Sequence, residues 1–438
     1  MPVIQGPSSY KITGHLQEFR ENPLSFLRRL TEYGEVAAFR LSHKRFYLTL
    51  NPQMIKDVVV TKTSCFQSVK SVQVVKAFSA NNLFFREEAL YMHLIQPSFV
   101  KKHLLQFKNE ILQVVQNHIR KWKDGEVRTV LKDMRNIVFE ALIKGIFNLD
   151  TDSEHSLIKC LQTLVSLRGR DSLHSMIKVP LPLPIKQQRV QNETINHLLL
   201  LIEEMITQRK QSDEQVGDLC HLLLQHSEDY LLSSEGEGLI KQQLISLFFT
   251  MYETITHTCS WSIYLLCQNE EDIKRLQKEL DNEAANHSLT DVHLAKLSYL
   301  HKVITECMRL YPSIWLFGRK ATQDIQLDGY HLRKNDTVLI SPYMMHRNEN
   351  YFLEPYEFLP DRFQSDFLSD VPDHIYMPFG INPRVEVGMS YVLEMVAFIL
   401  VPIISSFNIK AARNNIIEPD PHVLLRMKDE LNIIVSIR

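Results

Sequence analysis

From Gly238 to about Gln268 the chain reads as one long helix that is too apolar to lie on a surface. A helix that is apolar all round has to be covered on every side, so this one is expected to cross the core of the fold. The 438 residues, 45% hydrophobic and 23% charged, are enough to build such a core. Length alone permits two or three domains, but no linker or shift in composition marks a boundary. A single domain over residues 1–438 is the expectation.

Helical patterning dominates most of the chain. Residues 14–33 predict an amphipathic helix ending near Tyr33-Gly34, and further helices are expected at Phe107 to Trp122, Val127 to Phe147 and Thr194 to Lys210. Glu270 to Glu279 places opposite charges four positions apart, Glu270 with Lys274 among them, as on a solvated helix face. Val36 to Leu41 and Arg45 to Leu50 alternate with period two across Ser42-His43-Lys44, which predicts a hairpin. Beyond Pro312 short strands are expected at Gln326 to Leu332 and Thr337 to Ser341, followed by a proline-punctuated meander from Asn348 to Arg362. Val179 to Pro184 breaks the helices and reads as a rigid loop, a lid over a pocket, with a polyproline docking segment as the other reading. The fold class that follows is mainly α with a small β lobe (α+β).

The 49 basic and 51 acidic residues leave a formal charge of -2, so no global field favours nucleic acid or an anionic membrane. A specific hydrophobic small molecule is the expected partner. The N-terminus lacks the basic start and apolar run of a signal peptide, and no stretch is expected to reach the roughly 18 apolar residues of a membrane span. Cys65, Cys160, Cys220, Cys259, Cys267 and Cys307 are scattered without a Cys-x-x-Cys pair, which reads as free thiols in a reducing compartment. A cytoplasmic protein without a transmembrane segment is expected.

Three segments carry the more specific signals. Leu300 to Pro312 sets Glu306 and Arg309 three apart on one face of a helix that stops before a proline. Phe358-Leu-Pro-Asp-Arg-Phe363 supplies Arg362, and Met377-Pro-Phe-Gly-Ile-Asn-Pro-Arg-Val-Glu-Val-Gly388 leads into an apolar helix. Together with Gln96-Pro-Ser-Phe99, Trp261, Met345-His-Arg-Asn348 and Pro355, in this order, they resemble the cytochrome P450 family over nearly the whole chain. The resemblance implies the P450 fold and a buried cluster in which Glu306, Arg309 and Arg362 join two distant segments. A buried guanidinium stripped of its carboxylate costs about 3–5 kcal/mol, so both segments have to be present together.

Against this family pattern the chain departs at three places. Phe379-Gly380, Arg384 and Gly388 match the Phe-Gly-x-Gly-x-Arg-x-Cys-x-Gly signature, but Glu386 stands where the resemblance calls for the iron-binding cysteine. A thiolate pushes electron density onto haem iron and favours O–O cleavage; a carboxylate is a hard oxygen ligand and does not. Thr250-Met-Tyr-Glu-Thr-Ile255 stands where the family has its Ala/Gly-Gly-x-Asp/Glu-Thr-Thr segment, so Met251 is expected to fill the oxygen groove, while Glu253 and Thr254 match the family's acid and alcohol. The early helix, Glu87 to Ile95, offers only His93 where the family clamps haem propionates, although Arg319 and Arg384 match two other propionate partners.

Glu253 and His257 lie four apart beside Thr250, Thr254 and Thr258 at the same spacing. If that stripe faces a pocket, Glu253 is the candidate general acid or base, oriented by His257 or Thr254. The plainer reading has the threonines bonded to helix carbonyls, Glu253 paired with a distant arginine, and Glu386 salt-bridged to Arg384. No metal site is expected, and no Asp-Asp-x-x-Asp cluster is present. Three functions are compatible with these residues. The first is a cofactor-free, haem-free enzyme for cyclisation, rearrangement or isomerisation of a terpenoid- or polyketide-like intermediate. The second is a monooxygenase-like protein that binds haem b through a non-cysteine axial ligand. The third is a non-catalytic auxiliary subunit of another biosynthetic enzyme. The expectation taken forward is the first, with no cofactor.

Overall fold

The computed structural model describes residues 4–9, 12–69, 107–149, 156–168, 185–211, 220–221, 224, 234–285, 296–364, 371–381, 383–413, 416–422 and 424–438. The expected lid at Val179 to Pro184, the early helix with His93 and the Gln96 to Phe99 segment lie outside these residues. So do the side chains of residues 383–388, Arg384 and Glu386 included, whose backbone alone is described.

The first helical stretch divides in two, α1 (Leu16–Glu21) and α2 (Pro23–Thr31). Pro23 cannot continue α1 but suits the first turn of α2, where the Asn22 side chain accepts from Ser25 N at 3.0 Å. The hairpin follows as β1 (Val36–Leu41) and β2 (Lys44–Thr49), with Ser42 at φ 56 in its two-residue turn. After α3 (Pro52–Lys56) and β3 (Phe66–Ser68) come α4 (Lys108–Ile119), β4 (Val127–Thr129) and α5 (Val130–Phe147). Asn148, left-handed at φ 50, ends α5. The helical layer continues through α6 (Ser156–Arg168), α7 (Ile185–Gln211), α8 (Ser234–Gln268), α9 (Glu270–Ala284) and α10 (Ser298–Leu310).

Past α10 the chain forms β5 (Phe317–Ala321), β6 (Ile325–Leu327), β7 (Tyr330–Leu332), β8 (Thr337–Ile340) and α11 (Pro342–Met345). The single strand expected over Gln326 to Leu332 is a tight hairpin instead. Asp328 and Gly329 both take positive φ, 44 and 80, which folds β7 back on β6. Helix α12 (Pro383–Ser406) leads into β9 (Phe407–Ala411), β10 (Pro419–Pro421), β11 (Leu425–Met427) and β12 (Asn432–Ile437).

One sheet has the order β1-β2-β8-β5-β3, with β2 and β8 parallel and the other pairs antiparallel. Another, in the order β4-β12-β9, pairs β4 with β12, which accounts for the strand at Val127 where a helix was expected to begin. The architecture is thus mainly α with a small β lobe. Helix α8 crosses the larger core as expected: Leu244, Phe248, Ile255, Ile263 and Leu266 are fully buried. Trp261 lies flat on Tyr311, ring centroids 3.7 Å apart. The exposed face of α9 carries the expected Lys274–Glu270 ion pair at 2.9 Å.

Helix α12 corrects one expectation. Its segment Met389–Ser406 has a mean hydropathy of 1.8 and is long and apolar enough to cross a bilayer, yet 72% of it is buried inside the fold. It reads as a core helix packed against α4 and α8.

Candidate functional site

Glu306 and Arg309 are fully buried, and Arg362 closes the cluster from the short 3-10 turn Pro360–Arg362. Arg309 Nε donates to Glu306 Oε2 at 2.6 Å and its NH2 to Oε1 at 2.9 Å. Arg362 Nε donates to Oε1 at 3.0 Å, and Leu359 N reaches the same oxygen at 2.9 Å. The remaining Arg309 donors go to His346 O, Pro355 O and Glu357 O at 2.7–2.9 Å, so all five N–H groups are used. Helix α10 and the meander are locked together, as the motif implied.

The loop that opens at Met377 is held from three directions. Met377 N donates to His346 Nε2 at 2.9 Å, Ile314 N to Pro378 O at 3.1 Å, and Arg319 NH2 to Ile381 O at 3.3 Å. Internally, Gly380 N closes a turn onto Met377 O at 2.9 Å, with φ 78. A Cβ at Gly380 would be in ordinary contact with the Phe317 ring at 3.4 Å but strained at that φ, so it is the turn that favours glycine. Arg319, read from the sequence as a match to a propionate partner, therefore stands beside the loop. The backbone of Arg384 and Glu386 opens α12 immediately after it.

On α8 the predicted residues separate. Thr250 is exposed, whereas Met251, Thr254, His257 and Thr258 are buried, so the stripe does not line one open pocket along its length. Thr258 Oγ1 has no hydrogen-bond partner among the described residues, so it does not bond back to the helix. Arg426 of β11 donates through NH2 to Glu253 Oε2 at 3.1 Å, the distant-arginine arrangement. His257 Nε2 stands 3.4 Å from the same oxygen, and burial lowers the pKa of its ring. An ion-paired Glu253 is a charge anchor; its use as a free general acid is not supported by this geometry.

All six cysteines are free, and Cys307, the nearest in sequence to the loop, is buried on α10 with its Sγ 3.8 Å from Thr258 O. Burial pushes its thiol up to about 12, and burial raises Cys259 as well.

A family model described as Cytochrome P450 matches residues 4–435. The chain belongs to the cytochrome P450 family. Cyclooctatin synthase of Streptomyces melanosporofaciens is 24% identical over 426 residues, covering 96% of this chain and 92% of the relative. Cyclooctat-9-en-7-ol 5-monooxygenase of the same organism is 25% identical over 413 residues, covering 92% and 89%. Among solved structures, retinoic acid bound cyanobacterial CYP120A1 superposes with a TM-score of 0.83 at 20% identity, each chain covered completely, which establishes the fold.

These matches overturn the expectation of a P450 fold without a cofactor, because the family they identify is built around haem. Haem needs apolar walls, a cation for its carboxylates and a donor for its iron. Phe317 and Ile314, packed at Gly380, offer apolar surface, and Arg319 offers the cation beside the loop. At the start of α12 Glu386 offers oxygen rather than sulfur. Among the described residues Phe317, Ile314 and Arg319 fit haem, and would supply its apolar wall and a cation for a carboxylate.

Proposed function

We propose that this P450 binds haem b with an oxygen donor, Glu386 or a water, on iron, and takes a hydrophobic terpenoid-like molecule. The supporting observation is the loop from Met377 to Ile381, already shaped by its own hydrogen bonds and flanked by the Arg319 guanidinium. Bound haem supplies an iron centre for oxidation chemistry. A donor other than thiolate would weaken the electron push that haem oxidation uses, so oxidation would be slow compared with a thiolate P450. Arg319 would hold a haem carboxylate, Met251 restricts the space along α8, and Arg426 ion-pairs with Glu253. The monooxygenase name of one relative and the unsaturated alcohol in it favour oxidation of a hydrophobic substrate over a redox-neutral cyclisation. Six free cysteines fit a reducing compartment, and the cytoplasm is part of the proposal.

The test is to express the chain with haem supplied and measure its absorption and extractable haem. One haem per chain, with a ferrous–carbonyl band unlike that of a thiolate-ligated P450, is expected. A colourless protein with no extractable haem sinks the reading.

A further inference from the structure

His346 follows the turn of α11 and is fully buried. Its Nδ1 is 2.9 Å from Arg309 O, and its Nε2 is 2.9 Å from Met377 N. Met377 N is only a donor, so Nε2 accepts, and in the neutral ring the single proton sits on Nδ1 and is donated to Arg309 O. Arg309 returns the contact: its NH1 donates to His346 O at 2.8 Å. The two residues clasp each other, side chain to main chain in both directions. The imidazole is stacked on Tyr376 with centroids 5.3 Å apart, and Tyr376 OH donates to Thr305 O of α10 at 3.0 Å. Rotation of the ring is therefore blocked by a neighbour that is itself tied to α10.

We infer that His346 is the positioning residue for the loop from Met377 to Ile381, carrying the placement of the Glu306–Arg309–Arg362 cluster to the segment that precedes Glu386. The cluster itself makes no hydrogen bond to that loop among the described residues; the imidazole makes it. Only in naming haem as the loop's occupant does this rest on the proposed function.

Two substitutions separate the two ends of the ring. His346→Asn keeps a short amide donor for Arg309 O and leaves Met377 N without an acceptor. His346→Gln reaches the Nε2 position with a carbonyl for Met377 N and gives up the bond to Arg309 O. Amide hydrogen exchange on protein without added haem reads the loop directly, so the outcome does not depend on haem binding. In His346→Asn, exchange over residues 376–381 is expected to rise about tenfold, the scale of one lost hydrogen bond, with residues 300–308 near wild type. In His346→Gln the loop stays near wild type and the end of α10 exchanges faster. With haem supplied, His346→Asn holds haem more weakly than His346→Gln. Equal acceleration of the loop in both variants, or none in His346→Asn, overturns the inference. If His346→Asn does not fold, His346→Gln decides alone: a protected loop supports the inference and a loop that exchanges about tenfold faster overturns it.

Discussion

Arg426 on β11 reaches Glu253 on α8 across 173 residues of sequence, with NH2 3.1 Å from Oε2. Both side chains are about 15% exposed or less, so the pair is neither a surface ornament nor a fully dry contact. Arg426→Met is expected to destabilise the protein by about 2 kcal/mol, the scale of a hydrogen bond to a charged group. Denaturant midpoints check it, and the Glu253→Gln, Arg426→Met double variant should lose less than the two single losses combined.

The same pair tunes His257. Burial is the main reason its pKa is low; Glu253 pulls it up and Arg426 pushes it down. Arg426→Met should raise the His257 pKa and Glu253→Gln should lower it further, as read by NMR titration of the ring. Opposite movements would remove Glu253 and Arg426 as its electrostatic partners.

Acid stability should follow His346. Burial lowers its pKa from 6.5 to about 3; the hydrogen bond to Arg309 O works against this, and the charges of Arg309 and Arg347 add to it more weakly. The unfolded chain then binds the extra proton first, so the stability from keeping this ring neutral is full above pH 6.5 and is lost as pH falls toward 3. His257 shifts in the same direction and contributes with the same sign. Unfolding free energy measured between pH 7 and pH 4 should therefore fall less steeply in His346→Gln than in wild type; an unchanged slope would count against this assignment.

Met251 is 5% exposed within α8, and its truncation tests whether it occupies space a ligand would use. Met251→Ala should cost about 2–5 kcal/mol. A small apolar probe such as benzene should recover part of that loss by raising the melting temperature, because apolar cavities bind such molecules. No recovery would mean that neighbouring side chains have closed over the site.

Glu386→Cys restores the sulfur donor of the family signature. In protein loaded with haem the ferrous–carbonyl band should move to the thiolate type. Retention of the wild-type spectrum would show that position 386 does not reach iron.

Local patterning revealed the long helix, the first hairpin and the charged face of α9, because each repeats its signal within a few residues. It joined residues 14–33 into one helix because the apolar spacing continues across Pro23, while capping by Asn22 restarts the backbone there. The turn at Asp328-Gly329 was visible only in those two residues, within a run that otherwise alternates as a strand. Glu306, Arg309 and Arg362 were legible through the family pattern. Arg426 and His346 were not singled out as site residues. Glu253 marks a position wanting a cation, but nothing near it in sequence points to residue 426. In the sequence His346 is only one residue of the Met345 to Asn348 landmark. A histidine beside Arg347, just ahead of the proline-punctuated meander, was the available signal, and its link to Met377 exists only after folding.

The parallel pairing of β2 with β8 also sets a schedule for synthesis. Tyr47 of β2 donates to Asp336, just before β8, 289 residues later. At ordinary translation speeds the ribosome needs roughly 15–60 s to deliver that partner, and until then one edge of the first hairpin has no strand to cover it. A nascent chain of this kind is exposed to mispairing early, when only the hairpin and the first helices have emerged. Chaperone capture should therefore be strongest on chains stalled before residue 340, and should fall once β8 has left the exit tunnel.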